Sequence, residues 1–200
     1  MCPLPDKIVM ASGNIGKLRE IVRIFNDLNI TVVPQSDFGI SAAEENGTTF
    51  AENAEIKARY AADATGLPAI ADDSGLAVDA LGGRPGVYSA RYSGPDADDQ
   101  SNIDKLLHEL DRVPDDERGA VFHCTACFVM PDDANALLAT GEWRGIILRE
   151  RRGDRGFGYD PVFFDVDIGL SAAQLTTADK NACSHRGKAL QELARQMRSV

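Results

Sequence analysis

No stretch of this 200-residue chain is long and apolar enough to span a membrane. Met1–Asp6 runs straight into an apolar strand candidate and leaves no room for a secretory leader, so a cytoplasmic protein with no membrane partner is expected. Positive charge is scarce: 21 Lys and Arg stand against 31 Asp and Glu, a formal net charge of −10. That balance argues against sequence-independent binding to nucleic acid, which needs a basic surface. A small anionic ligand would have to be met locally by Lys, Arg, backbone amides or a metal. Cysteine is sparse as well. Of the four, Cys124 and Cys127 have the C-x-x-C spacing, yet they sit inside the apolar run VFHCTACFVM with no second pair elsewhere. Buried reduced thiols are expected there rather than a redox or metal site. Repeats, low-complexity tracts and linkers are missing too. What remains is one domain, residues 1–200, of ordinary globular composition, 44% hydrophobic and 26% charged.

The apolar pattern predicts alternating strands and helices. KIVMA (Lys7–Ala11) reads as a buried strand, and Leu18, Ile21, Val22, Phe25 and Leu28 follow helical spacing from Ile15 onward. ITVVP is a second strand. Thr49-Phe-Ala-Glu52 has the form of a capping box and opens a helix that ends near Gly66. The strand PAIA then delivers Asp72 and Asp73. Asp98–Asp111 is amphipathic, and Ala120–Met130, Ala136–Trp143 and Gly145–Glu150 are strand candidates. A last helix carries Leu190, Leu193, Ala194 and Met197. The expected fold is α/β, a mixed twisted sheet with flanking helices and two lobes around a central cleft, the second lobe at roughly 113–164.

Four segments carry residues suited to chemistry. In ASGNIGKLRE (Ala11–Glu20) a strand ends, a short polar turn follows, and a helix opens with Lys17 in its first turn. That arrangement aims free amides and an ammonium at one place, as phosphate requires, although the P-loop spacing is absent and a capped helix with a solvated lysine would look the same. Glu44, Glu45, Asp72 and Asp73 are carboxylates from separate segments. Mg2+ uses one or two such groups together with water and substrate phosphates, while the plain alternative is solvated turns. In GFGYDPVF (Gly156–Phe163) glycines allow close backbone approach, and Phe157 and Tyr159 could stack on a base or simply plug the loop. Lys180, His185 and Arg186 precede the last helix, where the helix dipole disfavours cations unless an anion lies nearby.

Together SGNIGK, FAENAEIKA, ADDSGLAVDALGGRPGVYSARY, GFGYDPVF and SHRGKAL resemble the signature segments of the RdgB/Ham1 family of inosine triphosphate pyrophosphatases, from Lys7 to about Leu193. The resemblance implies an ITPase/Maf-like fold and hydrolysis of ITP, dITP and XTP to the monophosphate and pyrophosphate. It implies Mg2+, one or more per subunit, on Glu44 and Asp73, with Asp73 as the catalytic group that activates water and Asp72 supporting it. Ser12, Gly13, Asn14, Ile15, Gly16 and Lys17 would grip phosphates, with Ser74 and Lys180 adding contacts. Phe157, Gly158, Tyr159 and Asp160 would enclose the base, with His185 and Arg186 near its 6-oxo edge. The family also implies a homodimer, for which Arg84, Tyr88, Arg91 and Tyr92 in Gly82–Gly94 are residue types suited to an interface or to packing within the monomer. Two alternatives stand beside this: a Maf-like pyrophosphatase of modified pyrimidine nucleotides, and a non-catalytic nucleotide-binding protein. The stretch ERRGDRG before Phe157 is more basic than the resemblance leads one to expect, and the resemblance does not assign that loop's contacts.

Overall fold

Alternation of side chains along two short parallel strands sets out the first half of the molecule. In the computed structural model, which describes residues 4–26 and 28–199, β1 (Lys7–Met10) pairs in parallel with β2 (Thr31–Pro34) and with β3 (Ala69–Val78). Together with β4 (Gly119–Val129), β5 (Ala136–Ile147), β6 (Phe163–Asp165) and β7 (Leu170–Ser171) they form one sheet of order β2-β1-β3-β4-β5-β6-β7. β5, β6 and β7 pair antiparallel, so the sheet is mixed as expected. Among the described residues no helix is long and apolar enough to cross a membrane.

The chain divides into two units, 1–73 with 124–141 and 185–200, and 74–123 with 142–184. The second is wider than the expected 113–164 and discontinuous, because β3, β4 and β5 each contribute to both units. In the first unit the two faces of the sheet have separate cores. Ile8, Met10 and Ile70 pack with α1 (Ile15–Asn26) and α5 (His185–Met197) through Ile21, Phe25, Leu190 and Leu193. Val9, Ala11, Ala69 and Ala71 pack with α2 (Phe50–Thr65) through Ala54, Ala58, Ala61 and Ala62. Successive strand residues point to opposite faces, and both faces are covered, so β1 and the start of β3 read as continuous apolar runs. The capping box at the start of α2 is formed: Thr49 Oγ1 accepts from the Glu52 amide at 3.1 Å, and Glu52 accepts from the Thr49 amide. Gly66 closes the helix in the left-handed region at φ 66°. Gly141 lets β5 pass close under α5, since a Cβ there would stand 2.2 Å from the His185 carbonyl oxygen.

The second unit has its own core, in which α3 (Asp99–Glu109) buries Ile103 and Leu106 against Leu76, Val78, Phe122 and Trp143. Phe122 and Phe163 pack at 4.5 Å between ring centroids. The Trp143 indole donates to Asp165 at 2.6 Å. The buried Arg118 guanidinium donates to the carbonyls of Leu110, Ile147 and Leu148, joining the end of α3 to β5. A short helix α4 (Thr177–Cys183) follows β7.

Two sequence expectations are corrected here. Ala136–Trp143 and Gly145–Glu150 are one strand, β5, whose burial alternates through Trp143 and ends at Ile147. β3 does not end at Ala71 but runs through both aspartates to Val78, because each carboxylate meets cations on its own face. Cys124 and Cys127 belong to opposite faces of the first unit and are both buried and free, so the C-x-x-C spacing does not form a pair. Cys2 lies outside the described residues.

Candidate active site

Because side chains alternate along β3, the two adjacent aspartates of the sequence occupy different environments. Asp72 follows the direction of Ile70 and enters the face covered by α1 and α5. It is fully buried, with Oδ2 3.0 Å from Lys17 Nζ on α1 and 3.1 Å from Arg186 Nε on α5. Arg186 Nη1 in turn reaches the buried carboxylate of Glu20 on α1 at 2.6 Å. Cys124 Sγ is 3.9 Å from Asp72 Oδ2, and burial raises its thiol pKa far above the ordinary value, with the nearby Asp72 charge adding to the effect. Asp73 follows Ala71 to the α2 face. There Lys57 Nζ stands 3.1 Å from Oδ1 and Asn53 Nδ2 stands 3.2 Å from Oδ2. Lys57 also pairs with Glu45 at 3.0 Å.

These surroundings drive the two carboxyls apart. Burial is the largest influence on Asp72 and would raise its pKa, but Lys17, Arg186 and Lys57 together outweigh it and hold the group well below the usual carboxylate range. Burial also dominates at Asp73, and there the opposing pull of Lys57 and Lys17 is too small to cancel it, while Glu45 adds repulsion. The Asp73 pKa is therefore raised. Burial alone would lower the Lys57 pKa, but Asp73, Asp72 and Glu45 raise it, so the ammonium stays charged.

The turn between β1 and α1 is exposed, as an anion site requires. Asn14 caps the helix by accepting from the Lys17 amide at 3.1 Å, and Ser12 Oγ accepts from the Asn14 amide at 3.1 Å. Ile15, the first residue of α1, is 66% exposed. The acidic loop is held by Asn53, whose Oδ1 accepts from the Gly47 amide at 2.8 Å, so one side chain ties that loop to Asp73. A Cβ at Gly47 would lie 2.7 Å from the same Asn53 oxygen. Of the two glutamates, Glu45 reaches Lys57 while Glu44 is exposed. Ser74 is the next residue of β3 and is half-buried. Among the described residues no cluster of three or more His, Cys, Asp or Glu is preformed for a metal.

In the second unit, Phe157–Asp160 forms a turn held from inside. Asp160 Oδ2 accepts from the Phe157 amide at 2.9 Å and pairs with Lys180. The Lys180 ammonium stands 4.7 Å from the Phe157 ring centroid. Tyr159 is buried and its hydroxyl donates to the Ser89 carbonyl at 2.8 Å. The structure thus groups Lys180 with Phe157 and Asp160, and Arg186 with Asp72, Glu20 and Lys17. His185 is buried at the start of α5.

The sequence points to Lys17, Asp72 and Asp73 but does not single out Glu20, Asn53 or Lys57. A signal is present all the same. Asn53 and Lys57 lie one helical turn apart on the same stripe as Ala54, Ala58 and Ala61, and Glu20 lies beside Ile21 on the buried face of α1. Polar residues on a stripe that must face the core need partners there.

A mixed sheet in which an interior strand, β3, presents two carboxylates, each met by cations from the covering helices and flanked by an exposed strand–turn–helix, defines an α/β protein equipped for phosphate chemistry. The chain belongs to the Ham1 family, whose pattern matches residues 8–196. It is 55% identical over 195 residues to the dITP/XTP pyrophosphatase of Shigella flexneri, with 97% of this chain and 99% of that protein covered. It is 53% identical over the same length to the dITP/XTP pyrophosphatase of Escherichia coli (strain K12), with equal coverage. A solved HAM1 protein structure from Coxiella burnetii superposes with a TM-score of 0.88 at 46% identity, covering 97% of this chain and 99% of that one.

Proposed function

We propose that this protein hydrolyses the non-canonical purine nucleotides ITP, dITP and XTP between the α and β phosphates, giving the monophosphate and pyrophosphate, and so clears them from the nucleotide pool. One observation carries the reading: Asp72 and Asp73 are neighbours on β3 in opposite surroundings, Asp72 fully buried between Lys17 and Arg186, Asp73 held by Asn53 and Lys57 on the other face. Such a divergence separates a structural carboxylate from a catalytic one. Asp72 is committed to Lys17 and Arg186, and thereby fixes the ammonium that receives the phosphates. Asp73, oriented by Asn53 and Lys57, accepts the proton of the attacking water. The amides of Ser12–Gly16 and the start of α1 bind phosphate oxygens, and Lys17 adds charge.

The charge balance favours a divalent cation. Glu45 and Asp73 share the Lys57 ammonium, so this side of the site holds more carboxylates than that one cation matches. Lys57 and Asn53 tie the loop that carries Glu44 and Glu45 to Asp73, and these carboxylates are the hard oxygen donors that Mg2+ takes in combination with phosphates and water, so the residues fit. Bound there, Mg2+ would neutralise phosphate charge and lower the pKa of a coordinated water. In this reading Phe157 stacks against the base, Tyr159 is buried in the core and anchors the turn rather than stacking, and donors directed at a 6-oxygen reject adenine, whose amino group leaves them unsatisfied. The buried free thiols Cys124 and Cys127 support a cytoplasmic setting.

The test is pyrophosphate release from ITP, XTP, dATP and GTP with Mg2+. ITP and XTP should be cleaved about a hundredfold more efficiently than dATP, and excess EDTA should abolish the reaction. Equal cleavage of dATP, or release of orthophosphate instead of pyrophosphate, would overturn the reading.

A further inference from the structure

The turn Gly156–Asp160 is held from outside as well as from inside. Gly158, in the left-handed region at φ 59°, donates its amide to Asp99 Oδ2 at 2.7 Å. Asp99 is the first residue of α3, and that helix is fixed in place. Asp98 and Ser101 form a capping box at its start, and Ile103 and Leu106 are fully buried beneath it. The same helix takes hold of the basic stretch before the turn: Arg151 Nη2 pairs with Asp104 at 2.7 Å and donates to the Gln100 carbonyl at 3.3 Å. The other arginines of ERRGDRG are also occupied within this unit, Arg152 by Glu150 and Arg155 by the Gln174 carbonyl, and Arg149 just before the stretch is bound to Asp115 and to two carbonyls.

Gly158 lies between the two aromatic residues of the turn. Tyr159 is already anchored by its hydroxyl, and the Phe157 amide is anchored by Asp160. The Gly158 peptide is the link that sets the direction of the Phe157 ring relative to Tyr159, and glycine resists rotation less than any other residue. A carboxylate that accepts from its amide supplies the missing constraint by a charge-assisted bond.

We propose that Asp99 is a positioning residue for the base: through the Gly158 amide it holds the Phe157–Asp160 turn in the shape that receives a purine, so it sets affinity for the base and not for the triphosphate. This rests on the reading of Phe157–Asp160 as the base-binding turn. An acidic residue in the first turn of a helix also complements the helix dipole, and that purely structural role predicts a change in stability with no distinction between base and phosphate.

The experiment measures steady-state kinetics with ITP, and inhibition by inorganic tripolyphosphate as a ligand without a base, in the full chain carrying Asp99→Ala, Asp99→Asn or Phe157→Ala. Asp99→Ala should raise KM for ITP about three- to tenfold with kcat within about twofold, and should leave the tripolyphosphate inhibition constant unchanged. Asp99→Asn keeps an acceptor oxygen and should recover most of the loss. Amide hydrogen exchange at Gly158 reads the bond without activity and should quicken in Asp99→Ala alone. If Phe157→Ala raises KM while Asp99→Ala does not, Asp99 has no positioning role. Nor has it one if Asp99→Ala weakens tripolyphosphate as much as ITP. If Phe157→Ala itself leaves KM unchanged, the base-binding reading of the turn fails and this proposal with it.

Discussion

Two residues that look identical in the sequence, Asp72 and Asp73, should respond to the same substitution in opposite ways. Asp73→Asn removes a carboxylate whose attraction to Lys57 is opposed by burial, and Lys57 keeps Glu45 as a partner, so the folded protein should lose little stability. Turnover of ITP should fall about a hundredfold or more, the usual contribution of a positioned base. Near-normal hydrolysis by a folded Asp73→Asn protein would remove Asp73 from that role. In the unmodified protein kcat/KM should rise with pH as the group that accepts the water's proton ionises, and Asp73→Asn should abolish that rise. Asp72→Asn does the reverse: it leaves Lys17 and Arg186 facing an amide in a fully buried position. Losing one partner of a buried ion pair costs about 3–5 kcal/mol, to be read by denaturant unfolding. The sign with pH also differs. The folded pKa of Asp72 is depressed, so its stabilisation is complete above the unfolded value of 3.8 and is lost only as pH falls through the lower folded pKa. Acid titration of wild type against Asp72→Asn should show their stability difference shrinking below that value. A constant difference down to strong acid would contradict the assignment.

At the level of elements, short-range signals are legible in the sequence and long-range ones are not. The helix α2 is legible from Thr49 and Glu52 because a capping box is a short-range device, and α1, α3 and α5 are legible from apolar spacing. β3 looks shorter in the sequence than it is, because two adjacent carboxylates resemble a strand end. Nothing local reveals that Lys17, Lys57 and Arg186 arrive from three different helices. The same limit hides Asn53 and Lys57, whose partners are 20 and 16 residues away. The site therefore depends on where α2 begins. Thr49→Ala removes the cap that fixes the turn bearing Asn53, and should cost about 1 kcal/mol in thermal unfolding. Because Asn53 joins Asp73 to the Gly47 loop, kcat should fall beyond what stability alone explains at a temperature where the variant is fully folded. Unchanged kcat with lowered Tm would mean that the cap serves folding only.

For the molecule as a whole, the segment Gly82–Gly94 sets an exposed aromatic ring beside a hollow in the surface. Arg84, Pro85, Tyr88, Arg91, Tyr92, Gly94 and Pro95 line a concavity of about 550 Å3, and Tyr88 is 60% exposed. The segment is stiffened rather than loose. Tyr92 donates to Glu109 at 2.8 Å, Arg84 pairs with the same carboxylate at 2.9 Å, and Lys105 and Arg91 stand over the Tyr92 and Tyr88 rings. Burial and the Glu109 contact push the Tyr92 hydroxyl up to about 12, so it remains a donor across the physiological range. A rigid, aromatic, arginine-flanked hollow has the composition of an interface core, where little side-chain entropy remains to be lost on association. A two-fold dimer of about 43 kDa, twice the 21.5 kDa chain, would place this segment in or beside a self-complementary contact. Tyr88→Glu adds a charge at the exposed ring without touching the Tyr92–Glu109 network, so it should convert the dimer to monomer while leaving the fold intact. Light scattering at micromolar concentration reads both proteins directly. A wild-type mass near one chain at every concentration would rule the dimer out, and an undiminished dimer in Tyr88→Glu would move its interface elsewhere.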